Sequence, residues 1–189
     1  MIFRGVRSEA GDFERESIPH LDTLYCYAVV FASDANEAEA WVGDAMLDSH
    51  RRWADREPDA AVRTWLLTIL RDIVTANRSQ NGGGASEDIA DYTPIPEIHD
   101  SDPRGDFLKL LKSDEILGAL KRVPYEFSEA VVLSDIEGLN YAEIAEITGA
   151  AVSAVKSRIF RGRHLIQQDL YRSDLELGHQ PKAASPTEP

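Results

Sequence analysis

A short stretch near the carboxyl end concentrates positive charge in a chain that is otherwise acidic. Between Ala150 and His164 there are four basic side chains and no acidic one. Ammonium and guanidinium groups at this density suit the binding of phosphate oxygens. The whole chain carries a formal net charge of −13, so the positive surface is local. The stretch therefore indicates a helix that lies against a nucleic acid.

The residues around this stretch have the pattern of a helix, a sharp turn and a second helix. Asn140 is a candidate N-cap, and Glu143 stands three residues later in the position of a capping box. Gly149 marks the turn, because glycine reaches positive φ without steric cost. The second helix is expected to begin at Val152. The residues predicted to face inward are Tyr141, Ile144, Ala145, Thr148, Val155, Ile159 and Ile166.

This pattern predicts a DNA-binding helix-turn-helix. An ordinary amphipathic hairpin with a solvated basic face is the structural alternative. The small Ala145, the turn at Gly149, the inward Val155 and the absence of acids from the second helix together favour DNA binding. The candidate contacts to DNA are Ser153, Ala154, Lys156, Ser157, Arg158, Arg161 and Arg163.

Composition limits the other classes of function. The 189 residues suffice for one medium domain or two small ones, and the acidic pI of about 4.7 argues against a protein that coats DNA unaided. A partner must therefore contribute to DNA affinity. Cys26 is the only cysteine, which excludes an intrachain disulfide and fits a reducing compartment. No stretch approaches the roughly 20 apolar residues of a membrane span, so we expect a cytoplasmic protein.

The sequence offers little support for an enzyme. The five histidines are scattered without metal-ligand spacing, and no serine or cysteine has a recognisable nucleophile context. The glycines at 82–84 lack the lysine and hydroxyl residue of a phosphate-binding loop. We therefore predict no catalytic residue, no metal site and no cofactor.

Apolar periodicity predicts an all-α fold of two small helical domains joined by a flexible acidic linker. The first domain spans 18–78. The linker at 79–106 holds three prolines and seven acidic side chains against one arginine. The second domain, with the helix-turn-helix, spans 107–171, and a disordered tail is predicted for 172–189.

Each predicted helix has an expected buried face. In the first domain these faces are Leu21, Leu24, Tyr25, Ala28 and Val29; Ala38, Trp41, Val42, Ala45 and Met46; and Val62, Trp65, Leu66, Ile69 and Ile73. In the second domain, Ser113 is expected to cap a helix, Pro124 to interrupt it and Gly138 to end the next one. The faces of these two helices are Ile116, Leu117 and Leu120, and Phe127, Ala130, Val131, Ser134 and Ile136.

Two segments resemble the extracytoplasmic-function class of bacterial sigma factors, the small promoter-recognition subunits of RNA polymerase. The first is RTWLLTILRDIVTANR at 63–78. The second is VPYEFSEAVVLSDIEGLNYAEIAEITGAAVSAVKSRIFRGRHLI at 123–166. The resemblance spans about 18–170 and is more specific in the second segment.

The resemblance implies roles for both domains. The first would hold the minus-ten promoter element as single-stranded DNA and bind the polymerase clamp, and the second would bind the minus-thirty-five element in the major groove. The implied partners are core RNA polymerase, through its beta and beta-prime subunits, promoter DNA, and an anti-sigma protein. By position, the minus-ten contacts are Arg63, Arg71, Asn77 and Arg78. The clamp contacts are Glu37, Glu39, Trp41 and Asp44, although Gly43 replaces a glutamine that is usual in the family.

Two other functions remain open at this point. A stand-alone helix-turn-helix regulator would bind operator DNA as a dimer without polymerase, but no heptad or apolar stripe outside the two domains indicates a dimer surface. A sigma-like decoy would bind an anti-sigma protein without initiating transcription. The departure at Gly43 is the feature that favours the decoy.

Overall fold

A computed structural model of the chain describes residues 11–80 and 114–176. These residues form helices joined by short turns, and no strand occurs among them. The predicted all-α fold is confirmed. The predicted linker lies outside the described residues apart from 79 and 80, which extend the preceding helix. The predicted cap Ser113 also lies outside them.

The first half, residues 11–80, is built around three packed helices. These are α2 (Leu21–Phe31), α3 (Ala35–Arg51) and α4 (Val62–Gln80), each in contact with the other two. A further helical segment at 11–17, α1, was not predicted from the sequence. It is held by Phe13, which is buried and meets the Trp53 ring edge-on with the ring centroids 5.2 Å apart.

Local sequence signals account for the start of α3 and for its buried face. Asp34 is the N-cap, and its carboxylate accepts a hydrogen bond from the backbone N–H of Glu37 at 2.9 Å. The expected residues Ala38, Trp41, Val42 and Ala45 are buried. The α3 face predicted from periodicity is therefore confirmed.

The buried faces of α2 and α4 differ in part from the prediction. Tyr25 was expected in the core but is 36% exposed, whereas Tyr27 is fully buried. Tyr27 lies three residues after the buried Leu24, on the same helix face, and its hydroxyl donates to Glu129 of the other half of the chain. On α4, Leu66 and Ile69 are buried as predicted. The α4 core also includes Leu67, Leu70 and Val74.

The second half, residues 114–176, contains four α-helices. They are α5 (Asp114–Arg122), α6 (Tyr125–Val131), α7 (Tyr141–Thr148) and the long α8 (Val152–Glu176), against which the other three pack. A π-helical turn, Val132–Ile136, extends α6.

Three details of the second half test the predicted boundaries. Pro124 stands directly before α6, as expected for a residue that interrupts a helix. Ile136 was predicted to be in the core but is 38% exposed, because the π-helical turn changes the periodicity. Finally, α8 continues to Glu176, whereas a disordered tail was predicted from residue 172, and the rest of that predicted tail lies outside the described residues.

The two halves pack against each other. Helix α7 lies against α4, and α5 lies against α2. Buried residues of both halves form one continuous apolar cluster that includes Leu70 of α4 and Ile144 of α7. The predicted domains therefore share an interface, which their separate sequence patterns did not indicate.

We expect Gly162→Ala to lower the free energy of unfolding by about 1–3 kcal/mol through overpacking. A Cβ atom at Gly162 on α8 would lie 2.6 Å from the carbonyl oxygen of Phe127 and 2.6 Å from a methyl carbon of Val131, both on α6. Urea unfolding followed by circular dichroism measures the change.

The matched control is Gly43→Ala on α3, where nothing lies within 4 Å of the added Cβ atom. There the higher helix propensity of alanine should raise stability by up to about 1 kcal/mol. If both substitutions stabilise the chain, the close approach of α8 to α6 is contradicted.

Candidate nucleic-acid interface

The helix-turn-helix forms as the sequence predicts. The side chain of Asn140 accepts hydrogen bonds from the backbone N–H groups of Ala142 and Glu143 at 2.9 and 3.1 Å. The carboxylate of Glu143 accepts one from the N–H of Asn140 at 2.7 Å, which completes the capping box. Gly149 has φ of +67° and ends α7, so that α8 begins three residues later at Val152.

The inward face of this motif is mostly as predicted. Val155, Ile159 and Ile166 of α8 are buried, as is Ile144 of α7. The prediction missed Ile147, which is buried, and placed Tyr141 inside although it is 36% exposed. These contacts fix α8 by one face and leave its opposite face in solvent.

The exposed face of α8 carries most of the candidate DNA contacts. Ser153, Lys156, Ser157 and Arg161 are exposed, and Ala154 is half-buried. Lys156 Nζ lies 5.6 Å from the centroid of the Tyr141 ring on α7, within the range of a cation–π contact. The arrangement offers two cations and two hydroxyl groups on one helix face, which suits phosphate and base-edge contacts.

Two of the predicted DNA contacts are engaged within the protein. Arg158 is half-buried and forms an ion pair with Glu126, 3.3 Å between nitrogen and oxygen. Arg163 is buried, and its guanidinium binds both carboxylate oxygens of Asp135 at 2.6 and 2.8 Å. The structure therefore places Arg163 in the core of the second half, and we remove it from the candidate DNA contacts.

All three arginines predicted to contact the minus-ten element point to the second half. Arg63 donates to the backbone carbonyl of Glu137 and to its carboxylate, the latter at 2.9 Å. Arg71 Nε lies 2.8 Å from a carboxylate oxygen of Glu129. The guanidinium carbon of Arg78 lies 4.7 Å from the centroid of the Tyr125 ring. The fourth predicted residue, Asn77, donates instead to the carbonyl of Ile73 one turn earlier, at 2.8 Å.

Glu129 is the centre of the polar contacts between the halves. It is 1% exposed, and a single carboxylate oxygen accepts from Arg71 Nε at 2.8 Å, Tyr27 Oη at 2.9 Å and Tyr125 Oη at 2.7 Å. Sequence analysis missed this residue, because its two partners in the first half, Tyr27 and Arg71, lie more than fifty positions away in the chain. No local pattern indicates such a contact.

The ionisation of these groups follows from burial and from the charge of Glu129. Burial raises the pKa of Tyr27 and Tyr125, and the negative charge of Glu129 raises both further, so that both phenols remain donors. Burial opposes the charge of Arg71, but Glu129 outweighs it and the pKa of Arg71 is raised. Burial also raises the pKa of Glu137, opposed by its hydrogen bond with Arg63.

The predicted clamp-binding residues occupy two different environments on α3. Glu39 and Asp44 are exposed, whereas Trp41 is only 5% exposed and belongs to the core. The Glu37 carboxylate accepts hydrogen bonds from the backbone N–H and the hydroxyl of Ser33, and these bonds lower the pKa of Glu37. Of the four predicted clamp-binding residues, only Glu39 and Asp44 are exposed and therefore accessible to a partner.

A cavity of about 390 Å³ lies at the junction of the two halves. Its lining includes Trp41 and Arg78 of the first half and Lys121 and Tyr125 of the second. Within residues 11–80 and 114–176, no three histidine, cysteine, aspartate or glutamate side chains gather closely enough to hold a metal ion. No helix in the same residues has the length and apolar character of a membrane span.

The chain is similar to known proteins both in its helix-turn-helix and over most of its length. Residues 113–166 match the family described as sigma-70, region 4. The RNA polymerase sigma factor CarQ of Myxococcus xanthus is 31% identical over 126 residues, which cover 64% of this chain and 67% of that protein. The ECF RNA polymerase sigma factor EcfG of Rhodopseudomonas palustris is 26% identical over 79% of this chain and 80% of its own length.

A solved structure supports the same assignment through the fold. The sigma factor RpoE of Bartonella quintana, in complex with the anti-sigma factor NepR, aligns with a TM-score of 0.66 and 25% identity, and the alignment covers 85% of this chain and 97% of that one. Sigma factors are regulators of transcription. With its helix-turn-helix, its two helical halves and these relatives, the chain belongs to the extracytoplasmic-function family of RNA polymerase sigma factors.

Proposed function

We propose that this chain directs core RNA polymerase to promoters by placing α8 in the major groove of the minus-thirty-five element. The observation that carries the proposal is the exposed face of α8, where Lys156 and Arg161 stand beside Ser153 and Ser157 without an acidic neighbour on the same turns. The match of residues 113–166 to sigma-70, region 4 supports it. Phosphate contacts position the helix, and contacts to base edges provide specificity.

Helix α4 serves the minus-ten element in this proposal. Arg63, Arg71 and Arg78 form a cationic row on α4, and Asn77 adds an amide near its end. A single strand can be held by such side chains through phosphate contacts and stacking, each stacked base being worth on the order of 1–3 kcal/mol. The carboxylates of Glu39 and Asp44 on α3 provide the surface for the polymerase clamp, formed by the beta and beta-prime subunits.

Polymerase is needed because the chain repels DNA as a whole. A net charge of −13 opposes approach to a polyanion everywhere except at the basic face of α8. We propose that the protein works in the cytoplasm and that an anti-sigma protein controls it. That control is supported by RpoE of Bartonella quintana, whose structure contains the anti-sigma factor NepR.

The proposal is tested by a gel shift of the purified chain with a random-sequence duplex pool, with and without core polymerase. We expect sequence-selective retention of DNA only when polymerase and the chain are both present. Tight selective binding by the chain alone at physiological salt would assign a stand-alone regulator. Failure to co-migrate with polymerase, combined with binding to an anti-sigma protein, would assign a decoy.

A further inference from the structure

The cavity at the junction of the two halves has an apolar floor. Its volume of about 390 Å³ lies within the range of about 300–1,000 Å³ that is usual for small-molecule sites. The floor consists of buried apolar side chains from both halves, namely Val30, Ala32, Trp41, Leu120 and Val123. An apolar part of a small ligand would therefore leave water on entering the cavity and would be stabilised there.

Two half-buried aromatic rings also line the cavity. The ring centroids of Phe31 on α2 and Tyr125 on α6 are 4.8 Å apart, and the two rings meet edge-on. Aromatic rings prefer offset-stacked or edge-to-face neighbours. Together with the indole of Trp41, these rings suit a planar aromatic ligand better than a branched aliphatic one.

Two cations line the same cavity. Lys121 is exposed, and its Nζ donates to the carbonyl of Ala32 at 2.8 Å, which uses one of the three N–H donors of the ammonium group. Arg78 packs its guanidinium on the ring of Tyr125, with 4.7 Å between the guanidinium carbon and the ring centroid. Stacking of this kind uses the face of the guanidinium and leaves the N–H groups at its edge available to an acceptor.

Glu37 supplies the carboxylate of the described lining. Hydrogen bonds from the hydroxyl and the backbone N–H of Ser33 lower the pKa of Glu37, and the charge of Lys121 lowers it further. The ionised Glu37 balances one of the two cations and leaves the lining with a net charge of +1. The cavity therefore attracts an anion, although the chain as a whole, at −13, repels anions.

We propose that this cavity binds a small aromatic carboxylate. The aromatic ring of the ligand lies on the apolar floor beside Phe31 and Tyr125, and the carboxylate accepts hydrogen bonds from Lys121 and Arg78. One negative charge matches the lining, whereas a second would be repelled by Glu37. The inference depends on neither polymerase nor DNA, so it stands apart from the proposed function.

The test uses cinnamate as the probe and cinnamyl alcohol as its neutral analogue, each titrated into the isotopically labelled full chain. Binding is followed by nuclear magnetic resonance through the indole N–H signal of Trp41, which lines the cavity and is assigned by its loss in Trp41→Phe. Trp53 and Trp65, whose rings contact each other elsewhere in the first half, serve as internal controls. Only the Trp41 signal is expected to shift, and its shift should saturate with cinnamate concentration.

Lys121→Met removes the positive charge of the lysine and keeps an apolar stem of similar length. The matched control is Arg51→Met, which removes the same charge from an exposed position about 20 Å along α3 from Glu37, at a rise of 1.5 Å per residue. We expect Lys121→Met to weaken cinnamate binding roughly fivefold, as for the loss of one partly exposed charge contact, and Arg51→Met to leave it unchanged. Cinnamyl alcohol should bind the wild type and Lys121→Met equally.

Ala32→Leu gives a second test, because it adds volume to the cavity and removes none of its charges. It should abolish the shift of Trp41, and circular dichroism reports whether this variant folds; if it does not, the comparison of Lys121→Met with Arg51→Met decides. The proposal is overturned if cinnamate causes no saturable shift of Trp41 or shifts all three indole signals alike. Equal loss of cinnamate affinity in the two methionine variants, or equal loss of both probes in Lys121→Met, would also overturn it.

Discussion

Replacement of Arg163 by methionine is expected to lower the free energy of unfolding by about 3–5 kcal/mol, as is typical when one partner of a buried ion pair is removed. The Asp135 side chain is 0% exposed and that of Arg163 is 9% exposed, so water cannot replace the lost guanidinium. Both oxygens of Asp135 lose their charge-assisted hydrogen bonds from Arg163. Urea unfolding at neutral pH measures the loss.

The control is Arg161→Met, two residues earlier on α8, where the side chain is exposed. It should change stability by no more than about 0.5 kcal/mol, as surface substitutions do. The double variant Arg163→Met/Asp135→Leu should recover part of the loss, because an apolar pair avoids the desolvation of two charges. Equal stability of the two methionine variants would show that Arg163 is a surface residue after all.

Lys156→Ala/Arg161→Ala is expected to weaken binding of a minus-thirty-five duplex by the polymerase complex by about 2 kcal/mol, or roughly 30-fold, at about 1 kcal/mol per contact. Both side chains are exposed on one face of α8. If both contact phosphates, the dependence of log affinity on log salt concentration should become shallower by roughly two. Affinity is measured by fluorescence anisotropy across a series of salt concentrations.

The matched control is Arg51→Ala/Arg172→Ala, which removes the same total charge from exposed positions at the end of α3 and far along α8. This variant shows whether a loss of DNA affinity comes from the lost contacts of α8 or from the change in the overall charge of the chain. Equal losses in both double variants would mean that α8 contributes only to the general field and does not enter the groove.

Local signals in the sequence were sufficient to predict the helix-turn-helix. The Asn140 cap, the Glu143 partner and the glycine at 149 act within a few residues of each other, and each appears in the structure as expected. The exposed position of Lys156 follows from the same periodicity. The roles of the first half were predicted from the family resemblance, which rests on the segments at 63–78 and 123–166.

Long-range pairing was not predictable by these means. Arg163 lies four residues after the buried Ile159, and it was assigned to DNA because of its charge; its partner in the core, Asp135, is 28 positions earlier in the chain. Glu129 similarly has no local signal for its contact with Arg71, 58 positions away. An ion pair between distant residues depends on how helices pack, and periodicity describes one helix at a time.

The central claim is that the chain is an initiation factor whose action requires polymerase, and in vitro transcription from a promoter library tests it most directly. Purified core polymerase, with and without the chain, is supplied with the library and the transcripts are sequenced. The account predicts transcripts that depend on the chain and start downstream of two shared sequence elements, one near minus ten and one near minus thirty-five. Transcript levels no higher than those of core polymerase alone, with a folded chain bound to it, would contradict the account.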